Sequence, residues 1–361
     1  MTTPPGSDER MRFTHRTLSQ RVRFASGDAA AALAEEVTAL GASRVMVIAA
    51  AGKAEVARRV ADGLPVAHWH HETAMHVPLP VAERARAAAR EHRADALACV
   101  GGGSTTGLAK AVALTTGLPI VAVPTTYAGS EATDVWGLTD NGRKTTGADD
   151  RVLPRAIVYD ATLTLTLPAD LSAASGLNAL AHCVDAMWGP RADPIDRALA
   201  GEGIRALRTG LPQVADDPAG LPGRELALYG AYLAAVAFAS AGSGLHHKIC
   251  HVLGGMFDLP HARTHAVVLP HVLAFNAPAA PDAEARIAAA FGTGTAIAGL
   301  DLLRVRLHAP TALRDLGMPE DGIAAAVRAV LGAVPANNPR PVTADDLTAL
   351  LRAAWEGTEP R

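Results

Sequence analysis

An α/β domain of Rossmann-like parallel-sheet type, followed by an all-α helical C-terminal domain, is the fold class this sequence predicts. Three observations carry it. Short apolar runs alternate with Ala-rich amphipathic stretches up to about Tyr159, the pattern of strands joined by helical crossovers. One of those runs, Ala96–Val100, leads straight into Gly101-Gly102-Gly103-Ser104. Beyond Leu167-Pro168 the chain turns to long Ala/Leu-rich segments with no evident strand.

Taken in order, residues 1–11 are polar, contain two prolines and read as a frayed tail. An α/β domain then spans 12–163. Arg44–Ala50 reads as a buried strand and Ala54–Gly63 as a helix. Ala82–Arg93 is a helix with Arg86, Arg90 and Arg93 on one face. After the strand Ala96–Val100 come a helix over Thr106–Thr115 and the strands Pro119–Val123 and Ala156–Tyr159. The helical domain, 164–361, opens with Ala169–Met187. It continues through Pro194–Arg208, Glu225–Ala241, Ile249–Phe257 and Pro281–Ala290. The junction of the two domains is where a ligand is expected.

Composition narrows the function. The chain has 361 residues, 49% hydrophobic and 19% charged, which fits a globular two-domain protein. Its 33 Gly and 24 Pro follow no period, which excludes collagen-like and solenoid architectures. A net charge of −3 and only 4% aromatics supply neither the basic footprint nor the stacking platforms of a nucleic-acid binder. Cys99, Cys183 and Cys250 lie far apart without a CxxC, so neither a disulfide framework nor a thiolate zinc knuckle is expected. The N-terminal stretch lacks a signal-peptide core, and no apolar run is read as approaching the roughly 20 residues of a membrane span. The expectation is a cytoplasmic protein with no membrane or nucleic-acid partner.

Gly101 to Gly103 between a strand and a helix lets backbone N–H groups approach a phosphate, with the positive helix end adding attraction. Ser104, Thr105 and Thr106 add hydroxyls. The loop is neither GxGxxG nor a Walker loop, and a plain strand–helix turn is the competing reading. A second loop, Pro124–Glu131, follows the next strand, so Thr125, Thr126 and Ser130 face the same crevice at the strands' carboxyl ends. Two such loops suit a nucleotide's pyrophosphate and ribose.

Of 14 histidines, six fall between 246 and 271. His247 and His251 share a helix face, as do Asn178 and His182 on the helix Ala169–Met187. His261 lies beyond Gly254-Gly255 and Pro260, read here as a turn that brings a loop histidine back. Metal sites and proton-transfer sites both use such a set. A metal is disfavoured, because imidazoles and the Asn178 amide offer a dication no negative charge. Isolated histidines, His15, His265 and His271 among them, read as satisfied structural residues.

Assembled, these segments resemble the iron-containing alcohol dehydrogenase superfamily and, within it, the maleylacetate reductases. The resemblance spans nearly the whole chain. It rests on Met75–Pro78, Gly101–Lys110 (GGGSTTGLAK), Pro124–Glu131 (PTTYAGSE), Trp136–Asn141 and Ser175–Val184 (SGLNALAHCV). Gly244–Gly255 (GLHHKICHVLGG), His265–Asn276 and Asn338–Pro341 complete it. What it implies is a dinucleotide-binding domain, a helical domain, an active site between them and a homodimer. Gly101 to Ser104 would hold the pyrophosphate of NADH, with Thr125, Thr126 and Ser130 along the nucleotide. The Asp and three His that bind metal in relatives correspond to Asn178, His182, His247 and His261, with His251 adjacent.

Three departures qualify that transfer. Asn178 replaces the ligand Asp, which implies that metal is not required. Ala50 stands where NAD-selective relatives place an acid, so discrimination against NADPH should weaken. Ala132-Thr133-Asp134 replaces the usual Met-Thr-Pro, implying an altered substrate edge. The implied reaction is reduction of maleylacetate to 3-oxoadipate in aromatic-compound catabolism. His247 and His251 are the expected proton donors or electrophiles, titrating near neutrality, and His182 and His261 complete the pocket. Lys248, Arg143, Lys144 and Arg340 are candidates for the two substrate carboxylates, with Asn178 in the same pocket. The competing readings are a metal-dependent alcohol dehydrogenase or ketone reductase, a lyase like dehydroquinate synthase, and a cofactor-binding protein without catalysis.

Overall fold

The computed structural model describes residues 11–140 and 143–360, so all but the last residue of the expected tail lies outside it. The first half runs β1 (Arg21–Phe24), α1 (Ala29–Ala39), β2 (Val45–Ile48), α2 (Ala54–Val60), β3 (Val66–His70), α3 (Leu79–Glu91) and β4 (Ala96–Gly101). It continues with α4 (Gly103–Thr116), β5 (Ile120–Pro124), β6 (Val135–Asp140), β7 (Arg143–Ala148) and β8 (Ala156–Tyr159). Six strands form a parallel sheet in the order β1-β8-β5-β4-β2-β3, and β6 and β7 form a separate antiparallel hairpin. Strands β2 (VMVI), β4 (ALACVG) and β5 (IVAVP) are buried along their whole length, which is why they read as unbroken apolar runs. The chain leaves β2 outward to β3 and leaves β4 in the opposite direction to β5. The switch point therefore falls between β2 and β4, and Gly101 ends a strand at that crevice.

The helical half comprises α5 (Ala169–Trp188), α6 (Pro194–Asp216), α7 (Leu221–Ala241), α8 (Leu245–Phe257) and α9 (His261–Asn276). It ends with α10 (Pro281–Phe291), α11 (Ala296–Arg306), α12 (Ile323–Leu331) and α13 (Ala344–Glu356). No strand interrupts this half among the described residues. One apolar core joins the two halves: Tyr127, Ile157 and Tyr159 pack with Leu177 of α5, Leu207 of α6 and Leu228 of α7. Arg224, fully buried on α7, donates to the Thr164 carbonyl and so stitches the connecting segment to the helices.

Two sequence expectations are corrected. Gly254-Gly255 is not a turn but lies inside α8; the reversal occurs at Asp258–Pro260, with Asp258 left-handed at φ 51°. His261 is accordingly not a loop residue but the first residue of α9, just after Pro260. In addition, the stretch Pro281–Arg306 does reach the length and hydropathy of a membrane span. It is two helices broken at Gly292, and Ile287, Phe291, Leu300 and Leu303 point into the core.

Candidate active site

The glycine loop and the second loop interlock. Gly102 caps α4, and a Cβ placed on it would come within 2.9 Å of Thr126 Cγ2. At Gly101 a Cβ would meet Thr105 Oγ1 at 2.5 Å, and the Gly101 carbonyl accepts from Thr125 N at 3.0 Å. The backbone is thereby bared at the positive end of a 14-residue helix, a cradle suited to a phosphate. Thr125 and Thr126 lie against that cradle, and Ser130 opens the short helical turn Ser130–Ala132 after Gly129. Gly129 is left-handed at φ 75°, and a Cβ there would strike Ala235 at 2.8 Å and approach His182 at 3.6 Å. The nucleotide-side loop is therefore pressed directly onto the imidazole site.

Behind this loop Lys110 is fully buried, donating to the carbonyls of Thr133 and Val135 at 2.8 Å and to Thr133 Oγ1 at 3.0 Å. Burial lowers its pKa to about 7. Thr133 and Asp134, expected at the substrate edge, are instead buried in this anchor, with Asp134 3.6 Å from Arg16.

Helices α5, α8 and α9 bring the predicted histidines together. The His182 and His247 rings stack at 4.7 Å, and Phe238 of α7 covers both at 4.7 and 4.3 Å. His251 lies 6.0 Å from His247 and 6.4 Å from His261. Further on, His76 lies 6.4 Å from His261. The result is a file of imidazoles running from the core to a cleft between the two halves. Two further histidines join it: His265, read as structural, packs 4.3 Å from His261 and 4.8 Å from His247, and His246, given no role from the sequence, packs 4.9 Å from His265.

Asp185 contacts this cluster directly, and the sequence alone does not single it out. It stands seven residues after Asn178 and three after His182 on α5, fully buried. Its Oδ2 shares a 2.7 Å hydrogen bond with His247 Nδ1 and accepts from the N–H groups of Gly244 and His247 at 3.0 and 3.2 Å. This contact fixes the His247 ring and leaves its Nε2 buried with no partner among the described residues. The expectation of imidazoles titrating near neutrality is overturned. Burial pushes His182 down to about 4 and His251 to about 3, and it holds His247 and His261 well below 6.5. Conversely, burial pushes Asp185 up to about 7, against a His247 held well below 6.5, so burial disfavours the charged form of both partners.

The basic candidates divide. Lys144, on β7, borders the cleft and depresses the pKa of His76, His251 and His261. Lys248 follows His247 on α8 and also bears on His251. Arg340 is not part of the site: its guanidinium lies over Phe275 at 4.2 Å and 3.5 Å from Asp346. Phe275 is fourteen residues along α9 from His261, or about 20 Å of helix. The Arg143 side chain lies outside the described part of the molecule.

Whether these residues suit a catalytic dication is answered by their donors. Asn178 Oδ1, His182 Nδ1 and His247 Nε2 are buried without partners, so the pocket calls for a polar ligand. All the donors are neutral, however, and the carboxylate that contacts them, Asp185, is engaged at His247 Nδ1 on the side away from the unpartnered Nε2. The histidine nitrogens that converge within 4.8 Å of one another are those of His246, His247 and His265, a different trio and also without an anion. The set does not fit a dication of the Asp-and-three-His kind.

Comparison with known proteins agrees with this architecture. The profile described as "Iron-containing alcohol dehydrogenase" matches residues 19–161, and "Fe-containing alcohol dehydrogenase family, C-terminal" matches 172–355. The maleylacetate reductase of Sphingobium indicum is 46% identical over 97% of this chain and 99% of its own length. Among solved structures, an iron-containing alcohol dehydrogenase from Corynebacterium glutamicum superposes with a TM-score of 0.95 at 60% identity, covering 97% of this chain and 99% of that one. Maleylacetate reductase from Agrobacterium tumefaciens gives 0.91 at 42% identity, covering 97% and 100%. With both halves matched and the fold shared end to end, the chain belongs to the iron-containing alcohol dehydrogenase family of oxidoreductases.

Proposed function

We propose that this protein reduces the conjugated double bond of maleylacetate to give 3-oxoadipate, using NADH and no metal. The observation that carries the reading is the Asp185–His247 pair at the centre of a pocket with no carboxylate of its own. The relatives named maleylacetate reductases, 43–46% identical over nearly the whole chain, support it.

A nicotinamide held in the cradle would supply hydride chemistry at the carbon β to the ketone. Negative charge then gathers on the ketone oxygen as an enolate. Gly101, Gly102, Gly103, Ser104, Thr125, Thr126 and Ser130 form the cradle suited to the dinucleotide. His247, oriented by Asp185 at Nδ1, presents a neutral Nε2–H and donates it toward that oxygen. A neutral His251 also serves, because an imidazole N–H stabilises an enolate without being charged. His182, His261 and Asn178 line the polar pocket around them. Protonation of the enolate at the α carbon completes the reduction.

Ala50 lies two residues beyond β2's carboxyl end and leads into the short helical turn Ala51–Lys53, with no acid there to repel a ribose phosphate. NADPH is accordingly accepted beside NADH. The same reading carries a cytoplasmic enzyme and a second copy of the chain as partner.

The test is a cofactor-oxidation assay with maleylacetate against a panel of simple aldehydes and ketones, before and after EDTA dialysis. Preference for the conjugated diacid, undiminished by metal removal, is the expected result. Loss of activity on dialysis would return the reading to a metal-dependent ketone reductase. Product formation without a change at the NADH band would indicate lyase chemistry.

A further inference from the structure

We propose that the cleft beneath His76 and Lys144 binds one carboxylate of the substrate, with Lys144 as its cation; this rests on the conjugated-diacid reading above. The cleft has a volume of about 390 Å³, within the range of small-molecule sites, and both halves of the chain line it. Met75, His76, Thr139 and Lys144 come from the α/β half, and Gly254 and Asp258 from the end of α8.

Lys144 reaches the cleft by lying across the hairpin: a Cβ on Gly137 of β6 would come within 3.3 Å of its Cε. Its surroundings strip water from the ammonium and lower its pKa. Yet among the described residues it makes neither an ion pair nor a side-chain hydrogen bond. A desolvated, unpaired cation is costly, and an arriving anion removes that cost. The one carboxylate lining the cleft, Asp258, is 84% exposed and stands 3.7 Å from His76 Nε2, beyond hydrogen-bond reach. That nitrogen is buried and also without a partner.

The segment carrying His76 is held in place at a cost in backbone strain. His76 and Val77 are both left-handed, at φ 60° and 49°, which is unfavourable above all for a β-branched valine. Thr139 compensates by donating its hydroxyl to the His76 carbonyl at 2.8 Å and its N–H to the Val77 carbonyl at 3.1 Å. Val77 also seats against Gly107 of α4, where a Cβ would come within 2.9 Å of Val77 Cγ2. The strained turn thus sets a second nitrogen donor beside Lys144. It also places that donor one ring away from His261, at the outer end of the imidazole file. A carboxylate held here leaves the rest of a six-carbon diacid to extend toward His251 and His247.

The experiment measures binding of adipate and of hexanoate, diacid and monoacid of equal length, by calorimetry on the full chain with saturating NAD⁺. Wild type binds adipate more tightly than hexanoate. In Lys144→Gln that preference falls by about tenfold or more, while NADH affinity changes by less than about threefold. Lys144→Arg retains part of the preference. His76→Asn, compatible with a left-handed backbone, weakens it and serves as the independent variant should Lys144→Gln fold poorly. The proposal is overturned if wild type shows no preference, if Lys144→Gln keeps it, or if the loss falls on NADH instead. Turnover of maleylacetate by the same wild-type preparation is read separately. Absent turnover with an intact adipate preference sinks the proposed reaction and leaves the carboxylate site standing.

Discussion

Asp185 and Asn178 stand two turns apart on one helix and do opposite things to charge in the pocket. Asp185 keeps His247 oriented, with Nδ1 engaged and Nε2 free. Asp185→Asn replaces the titrating partner of His247 with an amide that cannot exchange a proton with Nδ1. Steady-state kinetics should show turnover reduced by roughly 10²–10⁴ with cofactor affinity kept; an unchanged rate would remove the pair from the chemistry. Asn178→Asp places an anion inside the pocket, beside the unpartnered nitrogens of His182 and His247. That variant should take up Zn²⁺ or Fe²⁺ in stoichiometric amount by elemental analysis, whereas the wild type should not. The histidines were legible because i, i+4 spacing announces a shared helix face. Asp185 was not, because its significance depends on α8 arriving at its side after a 98° bend from α7, which no local pattern encodes. His265 escaped for the same reason: isolated in the sequence, it is surrounded by imidazoles only once α8 and α9 pack.

The elements that announced themselves are those whose environment is uniform along their length. β2, β4 and β5 are buried throughout and appear as apolar runs; α5 and α7 appear as long Ala/Leu stretches. β1 (RVRF) is a half-exposed edge strand, β3 (VAHWH) mixes histidine into its faces, and the hairpin pairs a mixed strand β6 (VWGLTD) with a polar β7 (RKTTGA). None of these carries a clean period, yet the hairpin supplies Lys144 and the brace Thr139. The glycine loop lies at the join between a legible strand and a legible helix, so its place was readable while its function was not. Structure adds that Gly102 is needed for the contact with Thr126. Gly102→Val should therefore splay the two loops and weaken NADH binding by about tenfold or more in a fluorescence titration, with the circular dichroism spectrum unchanged. Unaltered NADH affinity would show that the loop is only a turn.

Across the whole molecule, the burial of so many neutral imidazoles makes stability depend on pH. His182 and His271 are lowered to about 4, His246 and His251 to about 3, and His247, His261 and His265 well below 6.5. Unfolded, each recovers its ordinary value and takes a proton below about 6.5. In the window from 6.5 down to the folded values the unfolded state binds more protons, so stability rises with pH there and is lost on acidification. Asp185, raised to about 7, acts in the opposite sense: it is protonated in the native state while its unfolded counterpart ionises above 3.8. Buried Glu131 and Asp196, also raised, oppose in the same way. Seven imidazoles outweigh three carboxylates. Urea midpoints measured in steps from about pH 7.5 to 4.5 should fall steeply below 6.5, with a slope of several protons per molecule. A midpoint that stays level through that range would mean the imidazole file is already charged in the native state, and a pocket of imidazolium ions would require a different account of the enolate's proton.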